Sequence, residues 1–339
     1  MEPTFTFCII SYNQENYIIE ALESIKYQVK VYGKNFRTHL IVADDGSSDN
    51  TLKYAKIWIQ KNSNLFEFTN IISQERNKGT VNNVSLALHA IRSDAFKLIA
   101  GDDVFTSNSC YELINLFSKA DFVSCMSAAF EGDKVYFNKG HVNNYMYYRN
   151  RSHSSVKNHL VFEYALSALG SAFDKSLISE EYFKFLKQFS LLEDHTTWAF
   201  FFNNYRIKRI NYDHVIMLHR TDMNSVQHNP KYTRIVNEDR IQLNAYQRSI
   251  IKNPFLKLFL KINDKELREE DLNTLFKKSN VLRLVYKLPH MIFCYIFTRK
   301  KIEAIFIEEC SEMRPYLKQI RVNAKAFIDS IKMSFEIIE

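Results

Sequence analysis

The sequence predicts an α/β fold with a mostly parallel central sheet and helices on both faces, followed by a helical C-terminal region. Apolar runs rich in β-branched and aromatic residues alternate four times with segments of helical periodicity in about the first hundred residues. Such alternation is typical of a parallel sheet, because each crossover helix returns the chain to the same end of the sheet. Beyond about residue 230, turn signals become rare and long helical patterns follow.

The elements are predicted in chain order from these patterns. The four strands are Phe5–Ile10, Leu40–Ala43, Asn70–Ser73 and Phe96–Ala100. The helices between them are Tyr17–Ile25, a segment capped by Asp49 or Asn50 that carries Trp58, and Gly79–Ile91 with Leu86, Leu88 and Ile91 on its buried side. In the C-terminal region, helices are predicted over 235–251 and 301–338.

The composition and the cysteine spacing predict the cellular compartment of the protein and the kinds of partner it binds. The chain has 339 residues, of which 46% are hydrophobic, and five separate cysteines without CxxC spacing. Widely spaced cysteines, a start that passes directly into a strand and the lack of an apolar run of about 20 residues predict a cytoplasmic protein. The net charge of +7 is concentrated in the C-terminal region, without a recognised nucleic-acid module, so no nucleic-acid partner is expected.

Two pairs of acids follow predicted strands. Asp44 and Asp45 end the second strand, and Asp102 and Asp103 end the fourth. In a parallel sheet both pairs would lie above one crevice, where such sheets bind ligands. Clustered carboxylates suit Mg2+ or Mn2+ together with substrate phosphates. The Arg76–Gly79 loop would bring positive charge to the same edge, so the pattern predicts a site for a nucleoside diphosphate and its metal.

The order of these motifs resembles that of the family 2 glycosyltransferases. The matching segments are Ser11–Asn13, Val42–Thr51, Asn77–Gly79 and Gly101–Asp103. Members of this family are inverting enzymes with the Rossmann-like GT-A fold that use nucleotide-sugar donors. The resemblance implies a GT-A domain over residues 1–228, with a nucleotide-sugar-binding half over 1–125 and an acceptor half over 126–228. The helical C-terminal region then spans 229–339.

The resemblance also implies roles for individual residues. The implied donor-binding residues are Ser11, Tyr12, Asn13, Asp44, Arg76, Gly79, Asp102 and Arg220. The metal, Mn2+ or Mg2+, falls to Asp103 with Asp102, and His219 or Asp222 could also approach it. The motif here is Gly-Asp-Asp, so the first acid of the family's Asp-x-Asp element is missing. Asp45 is expected only to shape its turn.

A third acid pair, Glu193 and Asp194, begins another predicted helix. Acids at a helix start can simply act as caps. In the family resemblance, however, Asp194 is the base that accepts the proton of the acceptor hydroxyl, and Glu193 positions the acceptor or the base. Direct displacement with inversion needs one such base. The tyrosine-rich segment Asn143–Arg151 is a further candidate on the acceptor side, because tyrosine rings can stack on sugars.

Residues 277–301 carry seven basic residues and no acid around two short apolar runs, which Pro289 is expected to interrupt. This composition fits peripheral contact with the inner face of the cytoplasmic membrane. Packing on the catalytic domain and a homodimer interface through the C-terminal helices remain open alternatives.

The function predicted from all these motifs is an inverting hexosyl- or N-acetylhexosaminyl-transferase. The expected donor is a UDP-sugar, and the expected acceptor is a glycan or a lipid-linked oligosaccharide in bacterial surface polysaccharide synthesis. The alternatives are a nucleotidyltransferase on a related sheet and a non-catalytic scaffold that binds a sugar or nucleotide. The loop Ser11–Asn16 contains no glycine, which disfavours the nucleotidyltransferase.

Overall fold

The computed structural model describes residues 2–136, 145–146, 148–149, 151–162, 166, 170–221, 230–269, 277–297 and 299–336. The strands are β1 (Thr4–Ser11), β2 (Arg37–Asp44), β3 (Phe68–Ser73), β4 (Ala95–Ala100), β5 (Val104–Phe105), β6 (Phe122–Glu131), β7 (Lys134–Tyr136), β8 (Ser171–Phe173) and β9 (Arg209–Arg220). The N-terminal helices are α1 (Ile18–Tyr32), α2 (Thr51–Asn62), α3 (Thr80–Ala90), α4 (Glu112–Phe117), α5 (His153–His159), α6 (Glu180–Leu186) and α7 (Glu193–Asn204). The C-terminal helices are α8 (Pro230–Ile250), α9 (Pro254–Arg268), α10 (Lys278–Phe297) and α11 (Arg299–Glu336).

The central sheet confirms the predicted fold class. Strands β3, β2, β1 and β4 lie side by side in that order, and all three pairings are parallel. A second, mixed sheet has the order β5, β9, β6 and β7, with β8 paired to β6. The four predicted strands are those of the first sheet. The second sheet was not predicted, because its two longest strands, β6 and β9, pair across more than eighty residues.

Helices cover both faces of the parallel sheet because its strands are buried on both sides. On one face, Cys8 and Ile41 pack with helices α3 and α7. On the other, Phe7 and Val42 pack with α1 and α2. Strands buried on both faces read as continuous apolar runs, which explains why β1 and β2 were visible in the sequence.

The first predicted detail is the cap of helix α2, for which Asp49 and Asn50 were the candidates. Asp49 caps α2, since its Oδ1 accepts the Thr51 N–H at 2.9 Å, whereas the Asn50 side chain makes no cap hydrogen bond.

Leu86 was wrongly placed on the buried side of α3. It is exposed, while Leu88 and Ile91 are buried as predicted. Helix α3 ends at Ala90, and Ile91 has an extended backbone conformation. Its side chain packs in the core from this position just after the helix.

The C-terminal region is helical, as predicted, and packs on the rest of the chain. Helix α11 buries Phe306 and Leu317 in one cluster with Val104 and Leu218 of the second sheet. Pro289 was expected to interrupt the apolar runs of residues 277–301, but helix α10 continues through it. None of the helices in the described part of the chain is long and apolar enough to cross a membrane.

Candidate active site

Three neighbouring strands end at the same edge of the parallel sheet. Ser11 of β1 lies opposite Asp44 of β2, and Ile10 lies opposite Ala100 of β4. The chain then turns away from each strand, and the Gly101 N–H donates to the Ile10 carbonyl at 2.9 Å. The two predicted acid pairs therefore lie on one rim, because parallel pairing aligns the carboxyl ends of the strands.

The Asp44 carboxylate is buried at this rim and accepts three hydrogen bonds. Its donors are the Ser47 N–H at 2.9 Å, the Ser47 hydroxyl at 2.6 Å and the Ser11 hydroxyl at 3.1 Å. These contacts tie the end of β1 to the turn after β2. Two predicted donor-binding residues, Ser11 and Asp44, are thus brought into direct contact.

Asn13 joins the same two loops from outside. Its backbone N–H donates to the Ser47 hydroxyl, and its side-chain oxygen accepts the Ser48 N–H, both at 2.9 Å. Asn13 has a positive φ of 50°, a conformation that asparagine tolerates better than most residues. Tyr12 is 38% exposed beside it. The loop therefore presents an aromatic face at a rigid rim.

Asp45 holds the loop that follows β3. Its carboxylate accepts the Gln74 amide at 2.6 Å and the backbone N–H groups of Lys78 and Gly79, each at 2.9 Å. Burial raises the pKa of Asp45 above its ordinary value, against these hydrogen bonds. The residue therefore does more than shape its own turn. It fixes the neighbouring loop, on which Arg76 is exposed.

The second acid pair divides into one buried and one partly exposed carboxylate. Asp103 is 2% exposed, and its Oδ1 lies 3.0 Å from His219 Nδ1 and accepts the Arg220 N–H at 3.0 Å. Asp102 is partly exposed. Burial, followed by repulsion from Asp103, raises the pKa of Asp102 to about 6. Burial opposes the charge of His219, but its contact with Asp103 outweighs burial and raises the pKa of the imidazole.

Arg220 is 6% exposed and fills the space behind this pair. Its guanidinium donates to Glu20 Oε2 at 2.6 Å and to the Asp102 carbonyl at 2.9 Å. It also lies 4.1 Å from the centre of the Tyr17 ring and 4.5 Å from that of Phe130. These contacts fix the main chain of Asp102. Direct contact between Arg220 and a donor stays a prediction.

Glu193 and Asp194 form the first turn of α7. Asp194 Oδ1 accepts the His195 N–H at 2.6 Å. Burial raises the pKa of Asp194 to about 6. Burial, together with the charge of Asp194, raises the pKa of Glu193 to about 8. Because both pKa values are raised, the pair holds a proton more tightly than two exposed acids would, and one member can be charged while the other is neutral.

A close backbone contact joins this helix to the donor side. Gly79 has a φ of +94°, and a Cβ on it would lie 2.8 Å from the Ser190 carbonyl oxygen. The same carbonyl accepts the Val81 N–H at 3.3 Å. The loop held by Asp45 and the loop before Glu193 therefore meet at Gly79.

Sequence reasoning missed Asp239 of α8, which is 4% exposed. Its carboxylate accepts the consecutive backbone N–H groups of Ser190, Leu191 and Leu192 at 2.7–3.0 Å. This holds the approach to Glu193 from the C-terminal region. The available signal was the i, i+4 spacing of Asp239 and the buried Leu243, which puts an acid on the apolar side of a helix.

Two further predicted features lie partly or wholly outside the described residues. Asp222, which was expected to approach the metal, is not described, and neither is part of the acceptor-side segment Asn143–Arg151. Within that segment, Tyr145 and Tyr148 are buried, and the Tyr145 hydroxyl donates to Asp213. These two rings pack in the protein interior, so they offer no open face for stacking on a sugar.

The rim suits a cation that shares its ligands with a substrate. Within the described ranges, no group of three or more His, Cys, Asp or Glu side chains converges to hold a metal ion. Mg2+ and related ions are commonly held by one or two carboxylates plus substrate phosphates. The adjacent carboxylates of Asp102 and Asp103 meet that requirement.

A family comparison agrees with this architecture. Residues 6–174 match the model of glycosyl transferase family 2. The chain belongs to this family. The family 2 assignment makes the protein a glycosyltransferase and removes the nucleotidyltransferase alternative. A search of curated proteins found no match.

Several solved structures share the fold of this family 2 glycosyltransferase. S. aureus TarS 1-349 in complex with UDP-GlcNAc matches 99% of this chain and 92% of that chain, with 14% identity and a TM-score of 0.54. The mannosyltransferase PcManGT from Pyrobaculum calidifontis, in complex with GDP-Man and Mn2+, matches 96% of this chain and 87% of that chain, with 14% identity and a TM-score of 0.50. At these identities the likeness concerns the fold.

Proposed function

We propose that this glycosyltransferase transfers a hexosyl or N-acetylhexosaminyl group from a UDP-sugar with inversion at the anomeric carbon. The acceptor is a glycan or a lipid-linked oligosaccharide of a bacterial surface polysaccharide such as O-antigen, capsule or lipooligosaccharide. The observation that carries the proposal is the contact of Gly79 with Ser190, which brings the donor rim and the Glu193–Asp194 pair together. The UDP-GlcNAc complex of TarS supports the choice of nucleotide.

The donor rests on the rim in this proposal. Tyr12 contacts the nucleobase, and the exposed Arg76 lies near the same group. The buried Asp44 contacts the base by exchanging one of its Ser47 hydrogen bonds for one from the base. Ser11 and Asn13 support this end through their hydrogen bonds to the Asp44 turn. Gly79 allows the close approach of the two loops that border the sugar. Arg220 supports the donor site indirectly, because its guanidinium donates to the Asp102 carbonyl and fixes the position of that residue.

A divalent cation, Mn2+ or Mg2+, fits beside Asp102 and Asp103. Two adjacent carboxylates, one of them partly exposed with a raised pKa, leave negative charge that a cation would offset. His219 already contacts Asp103 and would orient it. When bound, the cation would stabilise the charge of the leaving diphosphate.

Asp194 is the proposed general base. Its carboxylate, charged near pH 7, accepts the proton of the acceptor hydroxyl as that oxygen attacks the anomeric carbon. The bond to the diphosphate breaks on the opposite face, which inverts the configuration. Glu193, protonated at the same pH, positions the base or the acceptor.

The test is Asp194→Asn, assayed for transfer and for donor binding. We expect kcat to fall by about 10²–10⁴-fold because the base is lost, with donor affinity unchanged because the rim is intact. Asp329→Asn, on an exposed part of α11, is the matched control and should keep wild-type activity. Full transfer by Asp194→Asn would remove it as the base. A product with retained anomeric configuration by NMR would contradict the mechanism.

A further inference from the structure

Helix α10 presents a long apolar stripe to solvent. The stripe repeats at helical spacing, and its members are between 44% and 65% exposed. They are Val281, Leu284, Val285, Leu288, Met291, Ile292, Tyr295 and Ile296. The exposed Phe293 and Phe297 extend the apolar surface around the C-terminal end of the helix. An exposed apolar surface of this kind indicates a contact with another molecule or a membrane.

The opposite face of α10 already packs on the protein. The Tyr286 ring stacks on Phe162 with centroids 4.4 Å apart, and the Cys294 thiol donates to the Met146 carbonyl at 3.5 Å. Lys287 and Cys294 are each 7% exposed on this side. Packing on the catalytic domain therefore accounts for one face of the helix. The stripe is held outward by the same contacts.

The charged side chains of residues 277–301 all have one sign. The acids beside the two ends of the helix are engaged, Glu303 with Arg299 and Glu266 with Ser279. Residues 277–301 contain seven Lys or Arg residues and no Asp or Glu. Lys278 at the start of α10 and Lys300 and Lys301 just after its end are exposed. An apolar face with cationic ends is the composition of a helix that lies at a lipid–water interface.

A second copy of the chain fits this surface less well. A two-fold interface would place the stripe of one copy against the same stripe of the other. With the helices antiparallel, the Lys278 end of each copy would meet the Lys300 end of its partner. Residues 277–301 contain no acid to offset this repulsion, and the nearby Glu303 already pairs with Arg299. An anionic bilayer offsets all of these charges together.

We propose that the α10 stripe docks on the surface of an anionic lipid bilayer, with the helix lying in the interface. Apolar side chains would enter the boundary of the acyl chains, and the lysines would contact lipid phosphates and carboxylates. The benefit of docking, delivery of a lipid-linked acceptor, rests on the proposed function. The docking itself does not depend on catalysis.

Vesicle flotation without donor or acceptor tests the docking. The wild-type protein should float with phosphatidylglycerol-containing vesicles and not with pure phosphatidylcholine. The variant Lys278→Gln/Lys300→Gln/Lys301→Gln should bind about 100-fold more weakly, because each lysine near an anionic surface contributes about a factor of five. The affinity of the variant Val285→Ser/Ile292→Ser for these vesicles should fall about 10-fold or more, because less apolar surface is buried in the bilayer.

Matched controls change lysines and β-branched apolar residues elsewhere. Lys119→Gln/Lys134→Gln/Lys187→Gln removes three exposed lysines, and Val31→Ser/Val322→Ser removes two exposed valines, both away from the stripe. These variants should float like wild type. Equal flotation of the stripe and control variants, or no flotation of wild type, would overturn the proposal. A dimer in solution that Val285→Ser/Ile292→Ser converts to monomers would overturn it in favour of self-association.

Donor hydrolysis measured on the same samples separates the two proposals. All variants should hydrolyse donor like wild type, because none of the changed residues contacts the candidate active site. Flotation without turnover of any donor would contradict the proposed function and leave the docking surface standing.

Discussion

Glu193 and Asp194 are adjacent acids in one helical turn, yet their pKa values differ. Burial raises the pKa of Glu193 to about 8 and that of Asp194 to about 6. The lower value belongs to Asp194, which agrees with the proposal that this residue is the general base. We therefore expect kcat/KM to decline as the pH falls through about 6.

The raised pKa of Glu193 also predicts a change in stability with pH. Its ordinary value is 4.5, so the folded chain binds this proton more tightly than the unfolded chain between pH 4.5 and about 8. The free energy of unfolding therefore falls as the pH rises through this window. Glu193→Gln removes the cost of a buried charge. Its melting temperature should exceed that of wild type by about 2 °C or more near pH 9, with little difference near pH 4.

Glu180→Gln is the control for this measurement, because Glu180 is an exposed acid in the first turn of the neighbouring helix α6. Its melting temperature should differ from wild type by a similar small amount at both pH values. A Glu193→Gln variant with no gain at alkaline pH would show that the charge is not costly in the folded protein.

At the scale of elements, the junction of α3 with the loop before α7 decides the shape of the site. Gly79 is required there for two reasons, a φ of +94° and the Ser190 carbonyl oxygen 2.8 Å from the position of a Cβ. An alanine must move one loop away from the other. This would separate the donor side from the base.

Gly79→Ala should therefore lower the free energy of unfolding by about 1–3 kcal/mol and reduce kcat as well. Gly132→Ala is the matched control, since Gly132 also has a positive φ of +52° but open space around it. It should show a smaller loss of stability and unchanged kcat. Thermal unfolding and steady-state kinetics of both variants provide the check. Equal effects on kcat would show that the contact at Ser190 does not matter.

At the scale of the whole molecule, the C-terminal region takes part in the site. The Asp239 carboxylate holds three consecutive N–H groups just before Glu193. Helix α11 contributes Arg321, whose guanidinium lies 3.4 Å from Glu20, the partner of Arg220. The C-terminal helices therefore contact the segments that carry the candidate site residues.

Asp239→Asn keeps the shape of the side chain but loses the charge that accepts these N–H groups. We expect kcat to fall about 10-fold or more while the KM for donor stays within about twofold, because the rim is not altered. Asp239→Glu should recover part of the activity. Asp264→Asn is the matched control, a buried C-terminal acid whose contacts are to Asn244 and Arg248. Equal losses of kcat in Asp239→Asn and Asp264→Asn would reduce Asp239 to a general stabilising role.

Local patterns in the chain were enough to predict the parallel sheet, the order of its strands and helices along the chain, and the acids at its rim. Strands buried on both faces produce apolar runs, and parallel pairing places the following residues on one edge. The helical C-terminal region was predicted for the same reason, because amphipathic periodicity is local. The exposed Leu86 was misjudged, since it lies on the same short helix as residues that do reach the core.

Only the tertiary structure decided which side chains hold the site in place. Arg220 meets Glu20, 200 residues earlier in the chain, and Asp239 meets Ser190 across 49 residues. The second sheet and the outward face of α10 were decided in the same way. Such pairings depend on how distant elements pack, and single residues far apart in sequence carry no local pattern that reports them. The chain thus specifies the reacting groups locally and their positions through long-range packing.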